Sequence, residues 1–200
     1  MIIPYLSGVI YPILSLIVWS VFLVFVAILV LRLILSYADP NPFGTIGRLG
    51  FKLRKFTEKW VYPSARFLAN FRVDTRLAPI LTILVGLFIT YFSMSIVHET
   101  FRVIDEFGIV TATGNVKALI GLVIYALLDL LILFIFIRFI SSWFVFTRNT
   151  LFGFVKRVTD PIMIPAQRLI PTIGMFDISA MVVLILISFV QMFVASTFGL

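Results

Sequence analysis

Cysteine is absent from this chain, and histidine occurs once, at His98. Disulfides, thiolate metal sites and a cysteine nucleophile are therefore excluded. One imidazole without a thiolate does not build a metal site by itself. Charge is scarce too: Asp, Glu, Lys and Arg make up 12% of 200 residues, while 62% are hydrophobic. A soluble domain carries about 25% charged residues. With a mean hydropathy of +1.16, lipid must cover much of the surface. No Lys or Arg occurs before Arg32, so the basic start of a cleavable secretory signal is lacking. The opening MIIPYLSG and the apolar run behind it read as an uncleaved span. Also missing are a Gly-x-Ser-x-Gly elbow, a Walker loop and a His-Glu-x-x-His pair. No extramembrane segment is large enough for a soluble active site. The chain reads as a non-enzyme without a cofactor.

What is present is four charge-poor apolar runs, 13–31, 77–97, 118–137 and 178–200. Each approaches the roughly 20 residues that a spanning helix needs. Strand alternation is lacking, which sets a membrane β-barrel aside. The expected fold class is an all-α membrane protein with four transmembrane helices. Between the runs, residues 32–76 hold nine Lys or Arg and residues 138–177 hold five, against two in 98–117. By the positive-inside rule, loops 32–76 and 138–177 face the cytoplasm and both termini lie outside. The localisation expected is a multi-pass protein of a bacterial-type inner membrane.

The two halves echo one another. Arg32-Leu-Ile-Leu-Ser-Tyr37 matches Arg138-Phe-Ile-Ser-Ser-Trp143. Thr57-Glu58, Pro63 and Arg66 match Thr159-Asp160, Pro165 and Arg168 at a constant offset, and Asp74 and Asp177 precede the next spans. The expected organisation is a first repeat over 1–97, an outer loop over 98–117 and a second repeat over 118–200. The copies run in the same direction, which predicts parallel repeats related by an axis along the membrane normal.

Both basic loops carry an amphipathic pattern. Ile46, Leu49, Leu53, Phe56 and Trp60 recur at helical spacing, with Arg48, Lys52, Lys55 and Lys59 on an adjoining face. Leu151, Phe154, Val155 and Val158 repeat this beside Lys156 and Arg157. Such helices suit an anionic lipid surface at the cytoplasmic face. That makes lipid a simpler partner than nucleic acid for a net charge of +7. Three prolines, Pro161, Pro165 and Pro171, argue against a long regular helix in the second loop. A proline-broken hairpin at the membrane interface is expected there, with a re-entrant one as the alternative.

Several side chains invite chemistry. Arg32 and Arg138 follow the last apolar residues of spans one and three. They are candidates for lipid phosphate or a partner's carboxylate; the structural alternative is a snorkelling anchor. Trp143 belongs at headgroup level. Arg168 and Asp177 flank Pro171 and Gly174, where a turn would let them meet, and Asp177 suits a helix N-cap. Asp129 lies near the centre of span three, where a carboxylate costs about 2.5–3.5 kcal/mol on insertion scales. Ser20 and Gln191 are its candidate hydrogen-bond partners. Asp129 with Gln191 makes an alternative ion or proton site; the other reading is interhelical glue. His98 reads as an interfacial residue capping span two, and Met94 sits too close to it along one helix to share a haem.

At RFISSW (138–143) and TDPIMIPAQRLIPTIGMFDISA (159–180) the sequence resembles the YGGT family of small membrane proteins. That family carries Arg-x-x-x-Ser-Trp, then a Thr-Asp/Glu-Pro, Pro-x-Arg-Arg, Pro, Gly-Gly, Asp-x-Ser-Pro string. Gln167 stands where the family tends to have its first Arg, Met175 replaces a Gly and Ala180 the final Pro. The first half keeps Thr57, Glu58, Pro63, Arg66 and Asp74 without the Gly pair. The resemblance implies no enzymatic activity. It implies a role in osmotic-stress tolerance and ion homeostasis, in membrane organisation, or in cytochrome-complex assembly with haem attachment. The reading favoured is a non-enzymatic membrane scaffold or assembly factor, working as a homo-oligomer or with a membrane-protein partner. A small oligomeric channel or transporter and a haem-handling factor are the alternatives.

Overall fold

A computed structural model of the chain describes residues 5–38, 44–143, 150–170 and 177–200. Six α-helices carry it: α1 (Tyr11–Ala38), α2 (Thr45–Asn70), α3 (Ala78–Thr113), α4 (Val116–Trp143), α5 (Thr150–Leu169) and α6 (Ile178–Phe198). A π turn, Leu6–Ile10, leads into α1, and a 3-10 turn, Thr75–Leu77, leads into α3. No strand occurs among the described residues. Four helical segments are long and apolar enough to cross a membrane: Leu6–Tyr37, Thr75–Thr113, Val116–Ser141 and Ser179–Phe198. The all-α, four-span fold therefore holds. The remaining helices, α2 and α5, are strongly amphipathic.

Two departures from expectation have local causes. The outer loop expected over 98–117 is mostly helix, because α3 runs to Thr113 and α4 starts at Val116. Its charges read as loop, yet Arg102 pairs with Glu99 at 2.9 Å and with Glu106 at 3.9 Å along one helix face. Such pairs at three- and four-residue spacing support a helix. The turn shrinks to Gly114, whose positive φ of 65° ends α3, and Asn115, whose Oδ1 accepts from the Ala118 amide at 3.1 Å.

The second departure is proline. The expected break does not occur: α5 continues through Pro161 and Pro165, as α2 does through Pro63. Each proline deletes one helical hydrogen bond and frees the carbonyl four residues earlier. In α5 those carbonyls belong to Arg157 and Pro161, both exposed. In α2 the freed carbonyl is that of Lys59, also exposed. Water or headgroups can satisfy them, so the helix bears the loss. Pro171 and Gly174, and the side chain of Trp143, lie outside the described residues.

Two compact units form. One is Ser15–Phe92; the other is Ser93–Leu200 with the N-terminal segment through Leu14. In the first, Leu29, Val61 and Ala78 are buried together, with Phe25, Ala65, Leu68 and Ile83 packed against them. This core draws one face of α2 onto α1 and α3. In the second, α4, α5 and α6 pack on one another, burying Leu122, Ile135, Met163, Ala180 and Leu184. A β-carbon built at Gly121 would overlap the Phe198 side chain. Glycine there lets the upper part of α4 approach the end of α6. Asp105 ties down the start of the chain in this unit. Its carboxylate accepts from the Leu6 amide at 3.2 Å, the Ser7 amide at 2.8 Å and the Ser7 hydroxyl at 2.7 Å.

Candidate functional site

The arginine that ends span one and the one that ends span three each reach into the amphipathic helix that follows. In the first half, Thr57 is fully buried on α2. Its hydroxyl donates to the Leu53 carbonyl one turn back at 2.7 Å. That leaves a lone pair, which accepts from Arg32 Nη1 at 2.6 Å. The next residue supplies the counter-charge: Arg32 Nη2 lies 3.5 Å from Glu58 Oε2. The second half builds the same clamp. Thr159, also fully buried, donates to the Val155 carbonyl at 2.8 Å. It accepts from Arg138 Nη1 at 3.0 Å, and the same nitrogen meets Asp160 Oδ1 at 2.6 Å. A threonine answers this task because one hydroxyl both donates and accepts. Its methyl can stay in an apolar core.

Further contacts secure each amphipathic helix. Phe25 of α1 meets Trp60 of α2 edge-on at 6.2 Å, and Phe134 of α4 meets Phe154 of α5 edge-on at 5.8 Å. Toward the next span, the Thr82 hydroxyl of α3 is hydrogen-bonded to Ser64 Oγ of α2 at 2.7 Å. In the second half this link is Gln167 of α5, whose Nε2 donates to Asp177 Oδ2 at 2.8 Å. Arg168 does not take that role; it is exposed, while Asp177 is buried. Asp177 is the expected N-cap, accepting from the Ala180 amide at 3.2 Å and from the Ser179 hydroxyl.

The two arginines thus face partners inside the chain, where the sequence had made them candidates for external ones. In the sequence alone, Thr57, Thr159, Glu58 and Asp160 stand out only as repeated residues. Their recurrence alongside the two arginines was the signal that they act together.

Asp129 is buried, 7% exposed, about 13 Å along α4 from Arg138. Its partner is Thr100 of α3, whose hydroxyl lies 3.0 Å from Oδ2. Neither expected partner serves. The Ser20 hydroxyl donates to the Leu16 carbonyl of its own helix at 2.7 Å. Gln191 is 6% exposed and its Nε2 has no hydrogen-bond partner. Thr100 falls in the 98–117 stretch that the sequence alone reads as outer loop. Beside the Thr100–Asp129 pair, Glu99 and Arg102 of α3 and Tyr125 of α4, one turn before Asp129, close a triangle. Arg102 donates to the Tyr125 hydroxyl at 2.8 Å, and that hydroxyl donates to Glu99 at 2.9 Å. His98 packs on the Tyr11 ring at 4.6 Å. Among the described residues, no group of three His, Asp or Glu side chains is placed to hold a metal ion.

Comparison with known proteins covers this same region. Residues 117–198, which contain the second clamp and the Asp177 cap, match the CCB3/YggT family model. Over 174 residues the chain is 28% identical to an uncharacterized protein of Haemophilus influenzae, with 86% of each chain covered. No solved structure matches it. The motif string and the family model coincide over the second half, so residues 117–198 are similar to the CCB3/YggT family.

Proposed function

We propose that this chain is a non-enzymatic membrane scaffold or assembly factor of a bacterial-type inner membrane. In this reading its basic helices lie on the cytoplasmic side and its termini outside. It holds two amphipathic helices, α2 and α5, at the ends of membrane spans, where they meet lipid or a membrane-protein partner. The observation that carries this reading is the Arg–Thr–carboxylate clamp found in both halves. Each clamp spends its strongest polar contacts on placing a helix rather than on a reacting atom. Support for osmotic tolerance or membrane organisation would follow from what those helices recruit.

The burial of Asp129 and its bond to Thr100 support interhelical packing over an aqueous ion path. Potassium flux from proteoliposomes separates the two. A scaffold leaves vesicles as tight as protein-free ones, and Asp129→Asn changes nothing. A protein-dependent flux that Asp129→Asn weakens would replace the scaffold with a channel.

A further inference from the structure

The two amphipathic helices differ on their outward faces. On α2, the buried residues Thr57, Val61 and Ser64 mark the inner side. Arg48, Lys52, Lys55, Lys59 and Arg66 fall on the opposite side, within an arc of about 60°. All five are exposed, and among the described residues none makes an ion pair. The row is about 27 Å long at the helical rise. The acid of this helix, Glu58, is turned aside to Arg32. Beside the row lie Phe56 and Trp60, 71% and 48% exposed, and Trp60 meets Phe25 of the first span.

On α5 the row is missing. Counting from Thr159 as from Thr57, the five equivalent positions are Thr150, Phe154, Arg157, Pro161 and Arg168. Two cations remain of five, and Phe154 is turned to Phe134.

We propose that the outward row of α2, and not that of α5, is a binding track for the phosphate headgroups of anionic phospholipid. This rests on the membrane reading above and adds the partner of one helix. A single row of cations flanked by exposed aromatic rings, held beside a span, matches the layered chemistry of a bilayer surface. Phe56 and Trp60 take the apolar boundary and the cations take the phosphate plane. Each cation near an anionic surface strengthens binding about fivefold.

The test uses the full chain in detergent, given phosphatidylglycerol or phosphatidylcholine, with retained lipid measured by mass spectrometry. Wild type holds phosphatidylglycerol in preference. Lys52→Gln/Lys55→Gln/Lys59→Gln weakens that preference roughly a hundredfold, while Arg157→Gln/Arg168→Gln keeps most of it. Helical circular dichroism confirms that both variants fold. Equal retention of the two lipids by wild type overturns the proposal. So does a triple variant that keeps its phosphatidylglycerol, or an α5 variant that loses as much. Loss of a bound acidic protein with lipid retention unchanged would overturn it in favour of a protein partner. The clamps are untouched in these variants, so such results leave the scaffold reading to its own flux test.

Discussion

Arg138 and Asp160 meet at 2.6 Å, whereas their counterparts Arg32 and Glu58 stand 3.5 Å apart. The carboxylate arm of the clamp is thus tight in the second half and loose in the first, while the threonine arm is 3.0 Å in the second and 2.6 Å in the first. Asp160 is also less open to water than Glu58. Charge-assisted hydrogen bonds contribute more than exposed ion pairs. Arg138→Ala is expected to cost about 1.5–2 kcal/mol, and Arg32→Ala about 1 kcal/mol. Denaturant titration of the purified protein in detergent reads both. Equal losses, or a larger loss at Arg32, would contradict the geometry.

The join between α5 and α6 rests on Gln167 and Asp177. Gln167→Ala leaves one oxygen of a buried carboxylate without its donor and should cost about 1–3 kcal/mol. Gln167→Arg restores a donor and adds opposite charge, so it should match or exceed wild type in thermal unfolding. An alanine variant as stable as wild type would show that the contact does not matter.

Gln191 presents the reverse case. Its Nε2 is buried without a partner, and such a group costs about 1–3 kcal/mol. Gln191→Met conserves volume closely and removes that group. Stability should hold or rise by about 1 kcal/mol. A loss of that size would mean that the amide donates to an acceptor such as a buried water.

Much of this fold is legible in the sequence because the relevant forces are local. Apolar runs of span length announce the four helices, and the 3–4 spacing around Phe56 and Trp60 announces α2. Where sequence reading failed, the deciding partner lay on another element or another helix face. Glu99, Arg102 and Glu106 look like a polar loop until they are seen pairing along a helix beside Tyr125. Pro161 and Pro165 look like breaks until the residues that carry their freed carbonyls, Arg157 and Pro161, are seen to be exposed. Gln167 looks like a lapse from the family's arginine, yet it makes the bond to Asp177. The clamps show the limit most clearly. Arg138, Thr159 and Asp160 are legible as a recurring set, but only the fold shows them turned toward one another.

The central claim is that the clamp arginine positions the amphipathic helix that follows it. Because the chain has no cysteine, spin labels can be placed without removing any. Leu127→Cys on α4 and Ile164→Cys on α5 are both exposed sites. Their label-to-label distance, measured by pulsed electron resonance in lipid discs, should be narrowly distributed. Adding Arg138→Ala should broaden it, while adding Arg168→Ala should leave it narrow. An unchanged, narrow distribution with Arg138→Ala would contradict the account.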